Sequence, residues 1–549
     1  MEQWWKKTVF YQIYVPSFCD GNHDGIGDFA GIRSKLEYLK KLGVGGIWLT
    51  PFYPSPKVDQ GYDISDYYGI DPDYGTMEDF EDFIREAHSL GIKVVSDIVI
   101  NHTSTEHQWF RESKRSVSDP KRNWYIWKKP VDGREPNNWE SFFGEKAWEY
   151  DEATGEYYYH SFAKEQVDLN WAEPEVKKAV FQMLDFWAGK GIDGFRLDVI
   201  NNLTLTDCMT DNPYDSRGEQ IHKYDVNQPG IHAFMKELKH HLNRERKLFL
   251  VGEISSDDLD VIRSFVGDGQ LDTTFNFNLG SIEEFDFQKF CHELERMAEL
   301  YRGEDYPTIF FGSHDMARFP SRFHFDSEQA KNLFTLMMTF RGIPFIYFGD
   351  EIGMQNYQCH TIEDARDIQG VIAYDQAKAA GKSEEEAIRI LNEQSRDHSR
   401  NTMYWNDSAY GGFSHHAPWI NYQKQSGKSA EQQMEDKDSL FSYVSELAHI
   451  RTEEEILANG SCKVEAPCAG VIILTRAYDG KKIRAVINFS KNEYEDRKGA
   501  VQHEAGKDGK GMRLKEKLLI LSRPDAFSET EGTRIISARS SAVWRYSDE

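Results

Sequence analysis

Seven polar residues interrupt apolar, β-branched runs at their C-terminal ends. They are Asn101 and His102 in DIVINH, Arg196 and Asp198 in GFRLDVIN, Glu253 in VGEI, and His314 and Asp315 in GSHD. Residues at i and i+2 of a strand share a face, so Arg196 and Asp198 point the same way. The set offers three carboxylates, two imidazoles and a guanidinium. The chain has no Gly-rich phosphate cradle, no Ser nucleophile elbow and no His pair at metal-ligand spacing. Paired carboxylates, one as nucleophile and one as general acid, are the tools of glycosidic bond cleavage through an oxocarbenium-like transition state. The acid must hold its proton near neutral pH, which burial and neighbouring negative charge provide. The nucleophile must stay ionised, and the charge of Arg196 is expected to lower the pKa of Asp198.

Groups from four different runs can meet only if those runs are neighbouring strands of one sheet. Eight apolar runs alternate with amphipathic helices: residues 9–18, 43–52, 91–102, 191–200, 247–254, 271–279, 306–315 and 342–353. Helical segments such as MEDFEDFIREAHSL and PEVKKAVFQMLDFWAGK carry apolar residues at three-to-four spacing. Eight β-then-α units predict a closed parallel (β/α)8 TIM barrel, whose catalytic groups gather at the C-terminal strand ends. A Trp-, Tyr- and Asn-rich stretch without helical period, 103–170, predicts a substrate-binding lid subdomain inserted after the third strand. The barrel is expected to occupy 1–102 and 171–459, with a second long excursion over roughly 354–435. A C-terminal antiparallel β-sandwich domain is expected over 460–549.

Composition narrows the substrate. With 65 Lys and Arg against 91 Asp and Glu, the net charge of −26 disfavours nucleic acid and anionic membrane surfaces as partners. An uncharged small molecule fits better, and 13 Trp, 27 Tyr and 34 Phe offer flat faces on which sugars stack. No obligate protein partner is evident. The six cysteines lack zinc or redox spacing. The N-terminus lacks a signal-peptide core, and no window reaches a membrane span, so a cytoplasmic protein with reduced thiols is expected.

The blocks DIVINHTS, GFRLDVIN, VGEI and SHD, in this order at strand ends, resemble the α-amylase superfamily (glycoside hydrolase family 13), and within it the oligo-1,6-glucosidase branch. The resemblance implies that Asp198 is the nucleophile, that Glu253 is the acid and base, and that Asp315 holds the sugar's 2- and 3-hydroxyls. His102 and His314 would donate to the same sugar, and Arg196 would orient Asp198. Tyr62 would stack under the terminal ring. Asp63 would bind its 4-hydroxyl, and Arg400 would pair with Asp63 to close the pocket. Phe162 and Gln166 match substrate positions. Such a reaction retains configuration, with the two carboxyls about 5–5.5 Å apart.

The branch also suggests linkage. Val199, the residue after the nucleophile, accompanies α-1,6 specificity, because a β-branched side chain there would crowd an α-1,4 aglycone. An exo-acting α-1,6-glucosidase is therefore expected. The main alternative is a trehalose-6-phosphate hydrolase, whose VGEMSS resembles VGEISS here; a sucrose- or α-1,4-active glucosidase or transglucosylase of the same family is another. Phosphate binding would need basic residues near the leaving group, and Arg217, His222 and Lys223 are the candidates. Ser313 where Asn is usual, and RNTMYW in place of RTPMQW, set the chain apart from the branch. Catalysis calls for no cofactor. DGNHDGIGD places oxygens at Asp20, Asn22, Asp24, the Ile26 carbonyl and Asp28, with Gly25 sixth, like the start of an EF-hand loop. The resemblance implies a structural Ca2+ or Mg2+ there.

Overall fold

A computed structural model describes residues 3–207, 209–244, 246–497, 514–530 and 533–548. Eight parallel strands form the central sheet: β1 Phe10–Ile13, β2 Gly46–Leu49, β3 Lys93–Ile98, β4 Gly194–Leu197, β5 Phe249–Gly252, β6 Thr273–Thr274, β7 Thr308–Ile309 and β8 Ile343–Tyr347. Their spatial order is β6-β5-β4-β3-β2-β1-β8-β7. The remaining seam, between β6 and β7, is bridged by side chains. Thr308 Oγ1 donates to the Thr274 carbonyl (3.0 Å) and Thr273 Oγ1 to the Tyr306 carbonyl (2.7 Å). The sheet thereby closes as a barrel, as the βα alternation predicts.

Aromatic side chains fill the barrel. Phe10, Trp48, Phe249, Phe275 and Phe345 form one buried cluster, with Phe10 stacked on Phe345 at 4.6 Å. Gly46 makes room for it, since a Cβ there would stand 2.6 Å from the Phe10 ring. Outside, helices lay one apolar stripe on the strands. In Met77–Ser89 the buried residues are Phe80, Phe83, Ile84 and Ala87, and Thr76 and Asp79 form a capping box at its start.

Two excursions cover the C-terminal end of the barrel. After β3 the chain forms a short strand, His102–Ser104, that pairs antiparallel with Gln166–Asp168 on its return. That pairing brings the two ends of the insertion together beside β3. Between them a three-stranded sheet (Trp127–Lys128, Glu156–Tyr159, Trp148–Asp151) packs on a small core of Ile126, Trp139, Trp148 and Tyr159. After β8 come paired helices, Ile368–Ala379 and Glu384–Gln394, and a short 3-10 helix, Arg396–Ser399. From Ser461 the chain builds a five-stranded and a three-stranded antiparallel sheet. Among the described residues no helix is long and apolar enough to cross a membrane.

Candidate active site

At the C-terminal end of the barrel lies a cavity of about 190 Å³, lined by Asp59, Tyr62, His102, Phe143, Phe162, Gln166, Asp198, Val199, Glu253, His314, Asp315, Gln369 and Arg396. It is small beside the ~300–1,000 Å³ of pockets for drug-sized ligands. A single ring fits it better than an extended chain.

Arg196, 1 % exposed at the end of β4, organises the floor. Its Nη1 donates to Asp198 Oδ1 (2.6 Å) and to Asp97 Oδ1 (2.8 Å), and its Nη2 to Glu253 at the end of β5. One guanidinium thus serves three carboxylates, and this division decides the electrostatics. Burial pushes Asp198 up to about 7, and the pull of Arg196 does not cancel it. Arg196 does pull Asp198 down, as expected, but burial outweighs that pull and the net shift is upward. Glu253 rises further, to about 8, through burial and through the negative charge of Asp198 and Asp315, even against Arg196. A hydrogen bond between the carboxyls of Asp198 and Glu253 adds to that rise. Asp315 goes the other way: burial raises it, but His314, Arg396, Arg400 and Arg196 together hold it below the usual carboxylate range. The order is what matters chemically. In the middle of the pH scale the proton of the pair resides on Glu253.

The walls are aromatic and polar by turns. Tyr62 and His314 lie parallel (3°, centroids 5.3 Å apart). Phe162 is stacked against Phe142 and meets Phe143 edge to face. The Gln166 amide donates to Asp59 Oδ2 (3.0 Å) and stands 3.1 Å from His102 Nε2. Burial leaves both His102 and His314 neutral, each lowered to about 3.

Two expected residues are not in the pocket. Asp63 is fully buried and turned into the loop, where its carboxylate accepts from Val58 N (2.9 Å), Asp59 N (3.1 Å) and Ser55 Oγ (2.8 Å). It makes no ion pair with Arg400. The residue facing the cavity is Asp59, which pairs with Arg396 Nη2 at 2.6 Å. The reason is the turn between them: Gln60 (φ 48°) and Gly61 (φ 107°) are left-handed, so the chain doubles back and presents Asp59 and Tyr62 on one side and Asp63 on the other. Arg400 lies one helical turn beyond Arg396 and beneath the floor. It donates from Nε to the His314 carbonyl (3.0 Å), and its Nη2 stands 3.4 Å from Asp315 Oδ1. Asp59, Arg396, Phe143 and Gln369 were missed from sequence. The only signal was the Asp before QGYD and a second Arg in SRDHSR.

Val199 lines the cavity with φ 35° and ψ 46°. Left-handed backbone at a β-branched residue is strained by ~1–3 kcal/mol, and it falls directly after Asp198.

In the DGNHDGIGD loop, Asp20 accepts from His23 N (2.6 Å), Gly25 N (2.8 Å) and Ser414 Oγ (2.5 Å). Asp28 accepts from the backbone of Gly21, Asn22 and Gly31. Asn22 donates to Asp24 (2.9 Å) at the surface. The donors are those a hard cation takes, yet among the described residues no three His, Cys, Asp or Glu side chains gather as a metal cluster. The loop is held as an Asx-rich turn.

Comparison with known proteins places this geometry. The model of the α-amylase catalytic domain matches residues 12–460. The chain is 38 % identical over 514 residues to an oligo-1,6-glucosidase of Halalkalibacterium halodurans, covering 89 % of this chain and 90 % of that one. It is 40 % identical over 509 residues to a trehalose-6-phosphate hydrolase of Bacillus subtilis, covering 88 % and 90 %. A crystal structure of Bacillus licheniformis trehalose-6-phosphate hydrolase superposes with a TM-score of 0.89 at 36 % identity, and one of the trehalulose synthase MutB of Pseudomonas mesoacidophila MX-45 with 0.90 at 34 %, each over the full length of both chains. A barrel with its carboxylates gathered at the strand ends, and likeness of this extent, identify the chain as a member of the α-amylase family and a glycoside hydrolase.

Proposed function

We propose that this enzyme is a retaining, exo-acting α-1,6-glucosidase of isomaltose-type oligosaccharides. One observation carries the reading: Asp198 and Glu253 share the Arg196 guanidinium at the floor of a small pocket, with the proton placed on Glu253. Asp198 attacks the anomeric carbon while Glu253 protonates the departing oxygen, leaving a glucosyl ester on Asp198. Glu253, now ionised, takes a proton from water as that water attacks the ester, and two inversions give retention. Asp315, kept ionised, accepts from the ring's hydroxyls, and neutral His102 and His314 donate to them. Tyr62 supports the ring's face. Asp59 with Arg396, rather than Asp63 with Arg400, would hold the hydroxyl farthest from the scissile bond and close the pocket behind it, which supports action at the non-reducing end.

Two features favour a neutral aglycone over trehalose 6-phosphate. Both guanidiniums of the pocket region are already committed, Arg196 to three carboxylates and Arg396 to Asp59 and Asp367. Of the three basic candidates outside it, Arg217 pairs with Asp215 and Glu219, His222 is held by Asp225 at 2.6 Å, and the Lys223 ammonium lies over the Tyr224 ring. The strained Val199 beside Asp198 supports the α-1,6 assignment as a steric filter. A structural Ca2+ or Mg2+ in the Asp20–Asp28 loop and a cytoplasmic site of action are part of the proposal; free thiols at Cys19, Cys291, Cys359, Cys462 and Cys468 agree with the latter. The test is glucose release from isomaltose, panose, maltose, sucrose, trehalose and trehalose 6-phosphate. Isomaltose and panose should be the best substrates; cleavage of trehalose 6-phosphate alone would overturn the assignment.

A further inference from the structure

Gln12 sits on β1, 1 % exposed, outside the cavity lining. Its side-chain Nε2 is 2.7 Å from His314 Nδ1. An amide nitrogen can only donate, so Nδ1 must present its lone pair and the single ring proton must be on Nε2. The far side of the ring agrees. His314 Nε2 is 2.5 Å from Tyr62 Oη and 3.1 Å from Asp315 Oδ2. The Tyr62 hydroxyl spends its own proton on Asp97 Oδ2 (3.0 Å), which also accepts from Trp48 Nε1 (3.1 Å). Its oxygen is then an acceptor towards His314. Donation runs one way along the whole line: Gln12 to His314, His314 to Tyr62, and Tyr62 to Asp97, whose other oxygen takes Arg196 Nη1. Reversing the imidazole would set an N–H against the Gln12 amine and force Tyr62 to release Asp97.

We propose that Gln12 is a positioning residue for the glycosidase reaction: by donating to Nδ1 it fixes the tautomer and plane of His314, so that Nε2–H is delivered into the pocket beside Asp315. The inference rests on the proposed function for its kinetic consequence, not for its geometry. A glycoside hydroxyl entering between His314 and Asp315 then meets an ionised acceptor on one side and, on the other, the Nε2–H that it draws from Tyr62 Oη, 2.5 Å away. With the opposite tautomer it would meet two acceptors.

Neutron diffraction from a deuterium-exchanged crystal of the substrate-free enzyme reads the tautomer directly. Deuterium on His314 Nε2, with Nδ1 bare, is expected; deuterium on Nδ1 overturns the proposal whatever glycoside the enzyme cleaves. The kinetic arm uses Gln12→Glu and Gln12→Met with a nitrophenyl α-glucoside. A carboxylate at position 12 accepts from Nδ1 and selects the wrong tautomer, so Gln12→Glu should lose ~10- to 100-fold in kcat/KM, chiefly in kcat, the size of loss seen when a metal-bound histidine loses its outer partner. Gln12→Met removes the donor without offering an acceptor and should lose less. Equal losses in both variants would mean that Gln12 only packs, and would overturn the proposal.

Discussion

The carboxylates of the pocket differ in proton affinity because each sees a different share of the same few cations. Asp198 has a third of Arg196, Glu253 has another third and faces two anions, and Asp315 faces a ring of positive groups. The pH dependence of kcat/KM follows, since it reports the free enzyme. Asp198 must be ionised, so activity falls as pH drops through about 7; Glu253 must be protonated, so it falls as pH rises through about 8. A narrow bell between those limits is expected with a nitrophenyl α-glucoside, and Glu253→Gln should abolish the alkaline limb. An alkaline limb that persists in Glu253→Gln would remove Glu253 as the acid. The loop residues separate just as clearly. Asp59→Ala should raise KM at least tenfold, with a smaller drop in melting temperature than Asp63→Ala because Arg396 keeps Asp367 as a partner. Asp63→Ala strips two backbone N–H groups and a hydroxyl of their buried acceptor, at ~1–3 kcal/mol each. It should therefore lower the melting temperature, and its effect on KM should come only through the loop. Equal kinetic loss in both with equal stability would return Asp63 to the pocket.

At the scale of elements, what was legible in the sequence depended on whether geometry was regular. The residues at strand ends stood out because charge in an apolar strand is costly without a purpose, and the barrel places strand ends together whatever the loops do. The sixth strand read as 271–279, yet only Thr273–Thr274 pairs and Phe277–Gly280 turns helical. Apolar runs do not reveal where a ladder stops. Asp59 and Arg396 were hidden for a related reason. One depends on two successive left-handed residues, the other on the phase of a four-residue 3-10 helix that points Arg396 inward and buries Arg400 below it. Spacing in sequence encodes neither. The Asp20–Asp28 loop poses the opposite case, a legible motif whose closed form is an Asx turn. Its exposed Asn22 and Asp24 give up only local contacts, their own mutual bonds and the Ile26 N–H bond to Asp24, if they swing onto a cation. Chelation by EDTA should lower the melting temperature, added Ca2+ should restore it, and Asp20→Ala should erase the difference. A melting temperature indifferent to chelator and calcium would leave the loop as a turn alone.

The whole molecule is held together at the opposite end from its chemistry, by cations that have no anions. Arg451, in the helix Leu440–Glu453, is fully buried and donates to the carbonyls of Met338 (3.3 Å), Phe340 (3.0 Å) and Gly342. Arg476, on the strand Val471–Tyr478 of the C-terminal sheet, reaches the carbonyls of Thr339 (3.0 Å), Gly460 (2.8 Å) and Ser461 (2.8 Å). Arg341 donates to the carbonyls of Gly303 (2.6 Å) and Asp305 (3.0 Å). Among the described residues no carboxylate pairs with any of the three. Arg341 is compensated by those loop carbonyls, whereas Arg451 and Arg476 meet, through Met338 and Thr339, the end of the helix Ser327–Thr339, whose last carbonyls carry partial negative charge and lack intrahelical donors. One helix end is thus capped from two directions, by the last barrel helix and by the C-terminal sheet. Arg451→Met keeps the volume and the apolar stem but leaves three buried carbonyls without donors, at ~1–3 kcal/mol each. Arg476→Met does the same from the sheet side. Each variant should lower the melting temperature by several degrees with KM unchanged, because the cavity lies at the other end of the strands. Since both side chains cap the same turn, the double variant should cost less than the sum of the singles. Additive losses would show that the two domains are anchored independently rather than through one shared helix end.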